Sequence, residues 1–287
     1  MASPGPGEVW LETLAGAVSV GTEGSLYRGD AREAEPRPYP LMTGYESLAR
    51  VMRVGDGVES VRAGERVVST YGHRTAACVP ADGLMPLPDG IPDEIALLAV
   101  LSNDSSKGVG KLNLNQNDAV LVTGAGTIGL LALHRLRWLG LKKMDVLEPL
   151  PARRGLALKL GARAVFAPET LPAEACYDAG VECSSRQAAF TALQRRLKPH
   201  GQVCVLSDGN LEPLVLLPEF HARELFIVAS SDGEDYPKHA AAFFEYWLET
   251  RAPLEELFTL RVTAEELRGA FAGLLEDPPL KVFVSYS

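Results

Sequence analysis

Residues 118–140 constrain the fold of this chain more than any other stretch. Residues 119–122 are apolar and rich in β-branched side chains, which predicts a strand buried on both faces. A glycine-rich turn with the spacing GxGxxG follows at Gly124, Gly126 and Gly129, and the apolar, proline-free residues 130–139 predict a helix after it. This order of strand, turn and helix is typical of α/β folds that bind phosphate groups.

Each glycine of the turn has a separate task in such a motif. Gly124 permits the tight turn, Gly126 allows a pyrophosphate to approach the backbone, and Gly129 allows the helix to pack closely on the strand. Thr127 and Ile128 complete the turn at the helix N-terminus, where N–H groups and the helix dipole favour anions. The turn is therefore expected to bind a dinucleotide; the alternative is a tight turn in another α/β protein.

An acidic residue after the next predicted strand indicates which dinucleotide is bound. The strand at residues 143–147 ends at Glu148, 19 residues beyond Gly129. A carboxylate at this spacing can accept both ribose hydroxyls of adenosine and would repel a 2′-phosphate, which favours NAD over NADP. Arg153 and Arg154 follow closely and keep NADP as the lesser alternative, unless they are solvated helix charges.

Composition excludes several other classes of function. The chain has 287 residues, of which 46% are hydrophobic, so it can bury two domain cores. Its net charge of −9 argues against a nucleic-acid partner. The sequence contains neither an apolar run long enough for a membrane span nor a signal peptide, so we expect a cytoplasmic protein. The four cysteines form no C-x-x-C pair, which predicts buried free thiols rather than disulfides or structural zinc.

The chain divides into three predicted segments. Residues 1–97 lack helical periodicity and contain short candidate strands at 9–14, 48–54, 66–69 and 76–79, which predicts a β-rich domain. Residues 98–231 alternate strands with helices, the pattern of a doubly wound parallel sheet of the Rossmann type. Residues 232–287 hold two amphipathic helices and a closing strand, and we expect them to return to the first domain.

Polar residues follow two later strands of the predicted parallel sheet. Cys183 and Ser184 come after one strand, and Ser207 and Asp208 after another. Because cofactors bind outside the carboxyl ends of parallel strands, these residues are candidates for the nicotinamide side of the site. The alternative is that they are ordinary polar loop residues.

Several motifs in order give the chain a resemblance to a known family. They are GPGEV at residues 5–9, GTE at 21–23, PLMTGYE at 40–46, the GxGxxG turn, and LKVFVSY at 280–286. The whole chain thus resembles the medium-chain dehydrogenase/reductase family, which includes the alcohol dehydrogenases. The resemblance implies a GroES-like catalytic domain beside a Rossmann domain, an active site in the cleft between them, and a homodimer, for which an exposed edge strand near residues 225–229 is suited.

Departures from the family motifs concern the catalytic metal. Zinc-dependent members carry a cysteine before G-T-D/E, a G-H-E motif, and a third cysteine or acid. Here Val20 stands at the first position and Tyr45 replaces the histidine, which leaves only Glu46, whereas catalytic zinc needs three protein ligands. The chain is therefore similar to a zinc-free branch that includes the bacteriochlorophyllide a dehydrogenase type. Few residues precede GPGEV compared with the family, which leaves open whether the first strands of the catalytic domain are present.

The resemblance brings four groups of polar residues toward the implied cleft: residues 19–23, Tyr45 with Glu46, His73, and Asp104 with Lys107. Tyr45 can hold the substrate oxygen through its phenol, or it can fill the space of the missing metal. His73 belongs to a residue type that exchanges protons near neutral pH, although it could also be structural. Asp104 and Lys107 could form a relay at a helix start, or they could be a helix cap and an ion pair. Glu46 could anchor a buried network.

Three functions remain open at this point. The leading hypothesis is a zinc-independent oxidoreductase that transfers hydride between NAD(H) and a small secondary alcohol or ketone, such as a polyol or cyclitol. The second is an NADPH-dependent enone or quinone reductase, since other zinc-free members of the family reduce activated double bonds. The third is a cofactor-binding protein that has lost catalysis.

Overall fold

The computed structural model describes residues 3–29, 38–207, 212–274, 276 and 278–286. The strands are β1 Glu8–Val18, β2 Ser47–Val54, β3 Arg66–Ser69, β4 Ala76–Pro80, β5 Met85–Pro86, β6 Ala119–Thr123, β7 Lys143–Leu147, β8 Ala164–Phe166, β9 Tyr177–Glu182, β10 Leu197–Val205, β11 Phe226–Ala229, β12 Phe258–Thr263 and β13 Lys281–Ser285. The helices are α1 Val20–Arg28, α2 Asp93–Gly110, α3 Thr127–Trp138, α4 Pro151–Lys159, α5 Gln187–Arg196, α6 Pro218–Ala222, α7 Tyr236–Thr250 and α8 Leu267–Gly273. They belong to two compact units.

The first unit consists of Met1–Val100 and Asp235–Ser287. In its described part, seven strands form a sheet in the order β12-β13-β1-β2-β3-β5, and β4 pairs with β1 beside this path. Strand β1 organises the sheet because β2 covers one of its edges, while β4 and β13 share the other. The apolar side chains that alternate along β1, such as Val9 and Leu11, are buried in the core of this unit.

The second unit is the continuous segment Leu101–Glu234. Its described residues contain a six-stranded parallel sheet in the order β11-β10-β9-β6-β7-β8. The chain runs from β6 outward to β8 and then starts again at β9 on the other side of β6. The carboxyl ends of β6 and β9 therefore flank a topological switch point, which is where open α/β sheets bind their ligands. The predicted fold class, a Rossmann-type parallel sheet with a β-rich domain, is confirmed.

The sequence patterns were wrong about two helices. Helix α1 lies in the segment for which only strands were expected. It was not predicted because Gly21 and Gly24 give this stretch a low helix propensity. Helix α2 is continuous from Asp93 to Gly110, so Asp104 and Lys107 lie in a helix interior and not at a helix start. Small polar residues at 102–106 interrupt the apolar pattern of α2, but most of them are buried and allow close packing.

Further differences concern short elements and the cysteines. Strands β5 and β12 and helix α6 were not predicted because each is short or lacks clear alternation. The four cysteines are free thiols, but the prediction that they are buried holds only for Cys204: Cys176 and Cys183 are partly buried and Cys78 is exposed. In the part of the chain that the structure describes, no helix is both long and apolar enough to cross a membrane.

Candidate functional site

The glycine turn has the backbone geometry that its sequence predicts. Gly124 has φ +88°, in the left-handed region, and a Cβ added to Gly129 would lie 1.9 Å from the carbonyl oxygen of Gly124. Glycine at 129 is therefore required for helix α3 to pack against the end of β6. By contrast, a Cβ at Gly126 would meet nothing within 4 Å. Open space thus remains beside the N-terminus of α3, where Thr127 and Ile128 begin the helix.

Glu148 braces the glycine turn from the end of the neighbouring strand β7. Its buried carboxylate accepts the Ala125 N–H at 2.6 Å and the Leu150 N–H at 2.8 Å. Each carboxylate oxygen retains a lone pair with which it can accept a ribose hydroxyl. Arg154 donates to the carbonyl oxygens of Glu148 and Pro149 at 2.8 and 2.5 Å, so its guanidinium supports the backbone of this turn. Arg153 lies partly buried in the first turn of α4.

Cys183, Ser184 and Ser207 lie at the carboxyl ends of β9 and β10. A Cβ at Gly124 would be 3.3 Å from the Cα of Ser184, so the loop after β9 contacts the glycine turn directly. Burial raises the pKa of the Cys183 thiol well above its ordinary value, which keeps the thiol protonated. Asp208, the fourth predicted member, lies outside the described residues. Sequence reasoning missed the neighbouring Glu182, which is fully buried.

A carboxylate–imidazole pair lies in the first unit, at the start of helix α1. The Nε2 atom of His73 is 2.7 Å from Oε2 of Glu23, and the two side chains are 9% and 1% exposed. The other oxygen of Glu23 accepts the Ser19 N–H at 2.8 Å, which fixes the carboxylate. The imidazole packs on Gly44, whose φ is +90°: a Cβ there would lie 2.8 Å from Cδ2 of His73. Sequence analysis placed Glu23 in a candidate segment but missed its partnership with His73.

Tyr45 lies at the same helix start as this pair. Burial, followed by the charge of Glu46, raises the pKa of the Tyr45 phenol well above its ordinary value, and hydrogen bonds with Ser19 and Thr22 oppose that rise. The phenol therefore remains protonated at neutral pH and can donate a hydrogen bond. It is not suited to act as a base.

Glu46 and Lys281 form an ion pair in the interior of the first unit. The Lys281 Nζ and Glu46 Oε2 atoms are 2.5 Å apart, and both side chains are 0% exposed. This pair joins the start of β2 to the start of β13. It agrees with the hypothesis that Glu46 anchors a buried network.

The residues at the family's metal position do not fit zinc. Val20 offers no ligand, Tyr45 holds its proton, and the charge of Glu46 is matched by Lys281. Among the described residues there is also no group of three or more histidine, cysteine, aspartate or glutamate side chains that could hold a metal ion. The donor set is thus short of the three ligands that catalytic zinc needs.

Asp104 and Lys107 support a backbone segment of the second unit. A carboxylate oxygen of Asp104 accepts the Gly233 N–H at 2.7 Å, and Lys107 donates to the carbonyl oxygen of Asp232 at 2.9 Å. Asn103 adds a hydrogen bond of 2.8 Å to the carbonyl oxygen of Glu234. These helix residues therefore hold residues 232–234 against α2.

A switch-point crevice, a GxGxxG turn and a carboxylate at the end of the next strand define the class of dinucleotide-dependent oxidoreductases. No protein-family model matches the chain. It is 30% identical over 239 residues to an L-threonine 3-dehydrogenase from Anaeromyxobacter sp. (strain K), a match that covers 69% of this chain and 68% of the relative.

Two solved structures show the same fold with a nucleotide bound. One is named as a zinc-binding dehydrogenase from Sinorhizobium meliloti 1021 bound to NADP, with TM-score 0.85, 18% identity, and coverage of 99% of this chain and 93% of that one. The other is named as a short chain alcohol dehydrogenase from E. coli CFT073 complexed with NADH, with TM-score 0.81, 21% identity, and coverage of 100% and 94%. The chain belongs to the medium-chain dehydrogenase/reductase family, as an alcohol dehydrogenase-like, NAD(P)-dependent oxidoreductase.

Proposed function

We propose that this chain is a zinc-independent, cytoplasmic oxidoreductase that transfers hydride between NAD(H) and a small secondary alcohol or its ketone. The observation that carries the proposal is the contact of 2.7 Å between His73 and Glu23, next to the positions where metal ligands are missing. A cofactor that accepts hydride leaves the protein with one further task, which is to move the proton of the hydroxyl group. Zinc normally polarises that oxygen in the family, and protein groups take over this role here.

In the proposed reaction, Tyr45 and His73 share the proton chemistry. The protonated phenol of Tyr45 donates a hydrogen bond to the substrate oxygen, which stabilises negative charge on that oxygen. His73 takes the hydroxyl proton during oxidation and returns it during reduction. Glu23 orients the imidazole through their contact of 2.7 Å, and the charge of Glu46, which is paired with Lys281, helps to keep the Tyr45 phenol protonated. Asp104 and Lys107 hold the backbone at residues 232–234.

The proposed cofactor preference follows from Glu148. A buried carboxylate beside the glycine turn would accept the adenosine ribose hydroxyls and repel a 2′-phosphate, which supports NAD over NADP. The proposed binding surface also includes the turn itself, with Gly124, Gly126, Thr127, Ile128 and Gly129. Arg153 is the residue that a 2′-phosphate would use if this preference were wrong.

The substrate proposal stays at the level of a chemical class. L-threonine carries a secondary hydroxyl at the position that the relative's name specifies, which supports a small secondary alcohol. A polyol or cyclitol would satisfy the same chemistry.

The test is a screen of secondary alcohols, including L-threonine, polyols and cyclitols, with NAD⁺ or NADP⁺ in the presence of EDTA. We expect NAD⁺-dependent turnover that EDTA leaves unchanged. His73→Gln and Tyr45→Phe should each lower kcat about 100-fold, as is usual for loss of a proton-transfer or oxyanion-stabilising group. His221→Gln, at an exposed histidine of α6, is the matched control and should leave kcat unchanged.

Three outcomes would contradict parts of the proposal. Loss of turnover in EDTA, restored by zinc, would refute zinc independence. A clear preference for NADPH, with turnover of enones or quinones, would favour the alternative reductase function. NADH binding without turnover of any compound would favour a cofactor-binding protein that has lost catalysis.

We further propose that the chain forms a homodimer through strand β11. This strand is the edge of the parallel sheet, and its Phe226 and Val228 are 61% and 39% exposed. An apolar edge strand of this kind can pair with a second copy of itself. Sedimentation of the wild type should give a dimer and sedimentation of Phe226→Lys a monomer; a monomeric wild type would refute the pairing.

A further inference from the structure

We propose that Glu182 is a positioning residue that turns the hydroxyl groups of Ser184 and Ser207 into hydrogen-bond acceptors for the carboxamide of a bound nicotinamide. The inference rests on the proposed NAD(H) function and deepens it. It concerns a side chain to which neither the GxGxxG motif nor the proton chemistry assigns a role. Its basis is the number, the type and the placement of the groups that contact one buried carboxylate.

Glu182 is the last residue of β9 and is 0% exposed. Its Oε1 atom accepts the backbone N–H of Ser184 at 2.8 Å and the hydroxyl of the same residue at 2.5 Å. The hydroxyl of Thr123 is 3.4 Å from this oxygen, and the hydroxyl of Ser207 donates to Oε2. A carboxylate accepts hydrogen bonds, so the hydroxyls of Ser184 and Ser207 supply the protons of their contacts, whereas the Thr123 hydroxyl lies equally close, at 3.4 Å, to the carbonyl oxygen of Val181.

These partners come from three adjacent strands of the parallel sheet. Thr123 ends β6, Ser184 follows β9, and Ser207 follows β10. One carboxylate therefore ties together the strand ends on both sides of the switch point. Glu148 lies on the opposite side of β6, at the end of β7. If Glu148 binds the adenosine ribose, Glu182 lies toward the nicotinamide end of a dinucleotide that crosses the crevice.

The loop that Glu182 holds also shapes the glycine turn. A Cβ at Gly124 would lie 3.3 Å from both Cα and Cβ of Ser184, and a Cβ at Gly129 would lie 3.5 Å from Cβ of Cys183. A shift of the Ser184 loop would therefore change the surface against which a pyrophosphate packs. Loss of the carboxylate should therefore weaken the binding of a dinucleotide more than the binding of AMP.

The direction of these hydrogen bonds has a consequence for ligand specificity. A hydroxyl has one proton, and the protons of Ser184 and Ser207 are donated to Glu182. Toward a ligand, both hydroxyls can present only lone pairs, and for Ser184 one lone pair remains, because the other accepts the backbone N–H of Arg186 at 3.2 Å. They are thus suited to accept hydrogen bonds from the N–H₂ group of a carboxamide. A carboxylate in the same place would find only hydrogen-bond acceptors, and the buried charge of Glu182 beside them would repel it.

The experiment compares equilibrium binding of NADH and of AMP to wild type, Glu182→Gln and Asp178→Asn. Asp178 is the matched control because it lies on the same strand at the opposite end of the sheet, where it accepts the Ala119 N–H at 2.8 Å and pairs with Lys198 at 2.7 Å. We expect Glu182→Gln to raise the Kd for NADH about tenfold and to leave the Kd for AMP within about twofold. Asp178→Asn should leave both constants within about twofold, even if it lowers the melting temperature.

A second measurement keeps the inference testable if Glu182→Gln folds poorly. Wild type should bind NAD⁺ at least about tenfold more tightly than nicotinic acid adenine dinucleotide, in which a carboxylate replaces the carboxamide. Ser207→Ala should reduce this preference without changing the Kd for AMP.

Three results would overturn the inference without contradicting the proposed function. Two of them are an unchanged Kd for NADH in folded Glu182→Gln and an equal affinity of wild type for the amide and the acid. Equal weakening of AMP and NADH would also overturn it, because it would indicate general disruption of the turn. A wild type that binds neither NADH nor NADPH would contradict the proposed function itself and remove the basis of this inference.

Discussion

The buried pair of Glu46 and Lys281 allows a direct test of how strongly burial changes the value of an ion pair. The change is Glu46→Gln, which keeps the shape of the side chain and leaves the Lys281 ammonium without its charge partner. The matched control is Glu94→Gln in the same unit. Glu94 pairs with Arg261 at the same distance, 2.5 Å, but the side chains of Arg261 and Glu94 are 54% and 19% exposed, against 0% for both members of the buried pair.

The expected magnitudes differ severalfold. Removal of one partner of a buried pair costs about 3–5 kcal/mol, because the remaining charge stays in a medium of low polarity. Removal of one partner of a surface pair costs about 0.2–1 kcal/mol, because water and salt already screen the charges. Both pairs lie in the first unit, Met1–Val100 with Asp235–Ser287. At roughly 2–4 °C per kcal/mol for a domain of about 150–250 residues, Glu46→Gln should lower Tm by more than about 6 °C and Glu94→Gln by less than about 4 °C.

Urea unfolding followed by circular dichroism would measure both free energies of unfolding. Hydrogen exchange of the peptide that contains β13 would assign the loss to the first unit, since the two units need not unfold together. The reasoning would be refuted if the two variants lost the same free energy within about 0.5 kcal/mol. A small loss in both would mean that the Lys281 ammonium is solvated when Glu46 is neutral.

Three further predictions follow from the backbone and from a buried phenol. Gly126→Ala should fold normally, because the added Cβ meets no protein atom within 4 Å, but it should lower NADH affinity at least about tenfold, because the Cβ fills the proposed phosphate space. Gly129→Ala should instead unfold the turn, because its Cβ would lie 1.9 Å from a carbonyl oxygen. Ser185→Gly should raise the free energy of unfolding by about 1 kcal/mol, because Ser185 has φ +56°. Burial raises the pKa of Tyr71 from 10.0 to about 12. Between these pH values the unfolded chain loses the phenol proton and the folded protein keeps it, so the free energy of unfolding falls as the pH rises. Tyr71→Phe should reduce this fall by up to about 1.4 kcal/mol per pH unit.

Each of these predictions has its own measurement and its own contrary result. NADH titration and thermal unfolding separate the two glycine variants, and equal NADH affinity of Gly126→Ala and wild type would place the phosphates elsewhere. Urea unfolding checks Ser185→Gly, for which a loss of stability would show that the serine side chain outweighs the backbone strain. Urea midpoints from pH 8 to 11 check Tyr71→Phe, and an unchanged alkaline slope would contradict the assigned cause.

The local sequence pattern was sufficient to predict the parallel-sheet unit around the glycine turn. The run from β6 through the glycine turn to α3 depends on neighbours in sequence: β-branched residues, glycines where a Cβ would collide, and an apolar helix. The same holds for Glu148, because the spacing between a turn and the next strand end is fixed by the length of one helix. These features could be predicted without knowledge of any distant contact.

Contacts between distant residues could not be predicted in the same way. The partnership of Glu23 with His73 depends on how β1 and β4 pair, and that of Glu46 with Lys281 depends on how β1 pairs with β2 and β13. No sequence spacing encodes either one. Glu182 was missed because a single acidic residue at the end of a strand does not indicate by itself that it binds several partners. Its four hydrogen-bonded contacts exist only once three strands lie side by side.

The shared edge of β1 also determines when the protein can finish folding during synthesis. Residues 15–18 of β1 pair with residues 282–285 of β13, so this part of the strand leaves the ribosome long before its partner exists. At typical rates of elongation the interval is on the order of tens of seconds, and the parallel sheet of residues 101–234 is translated within it. A nascent chain thus carries an unpaired strand edge with which other strands can pair incorrectly. Fast translation, or a chaperone that shields the N-terminal segment, should therefore increase the yield of native protein.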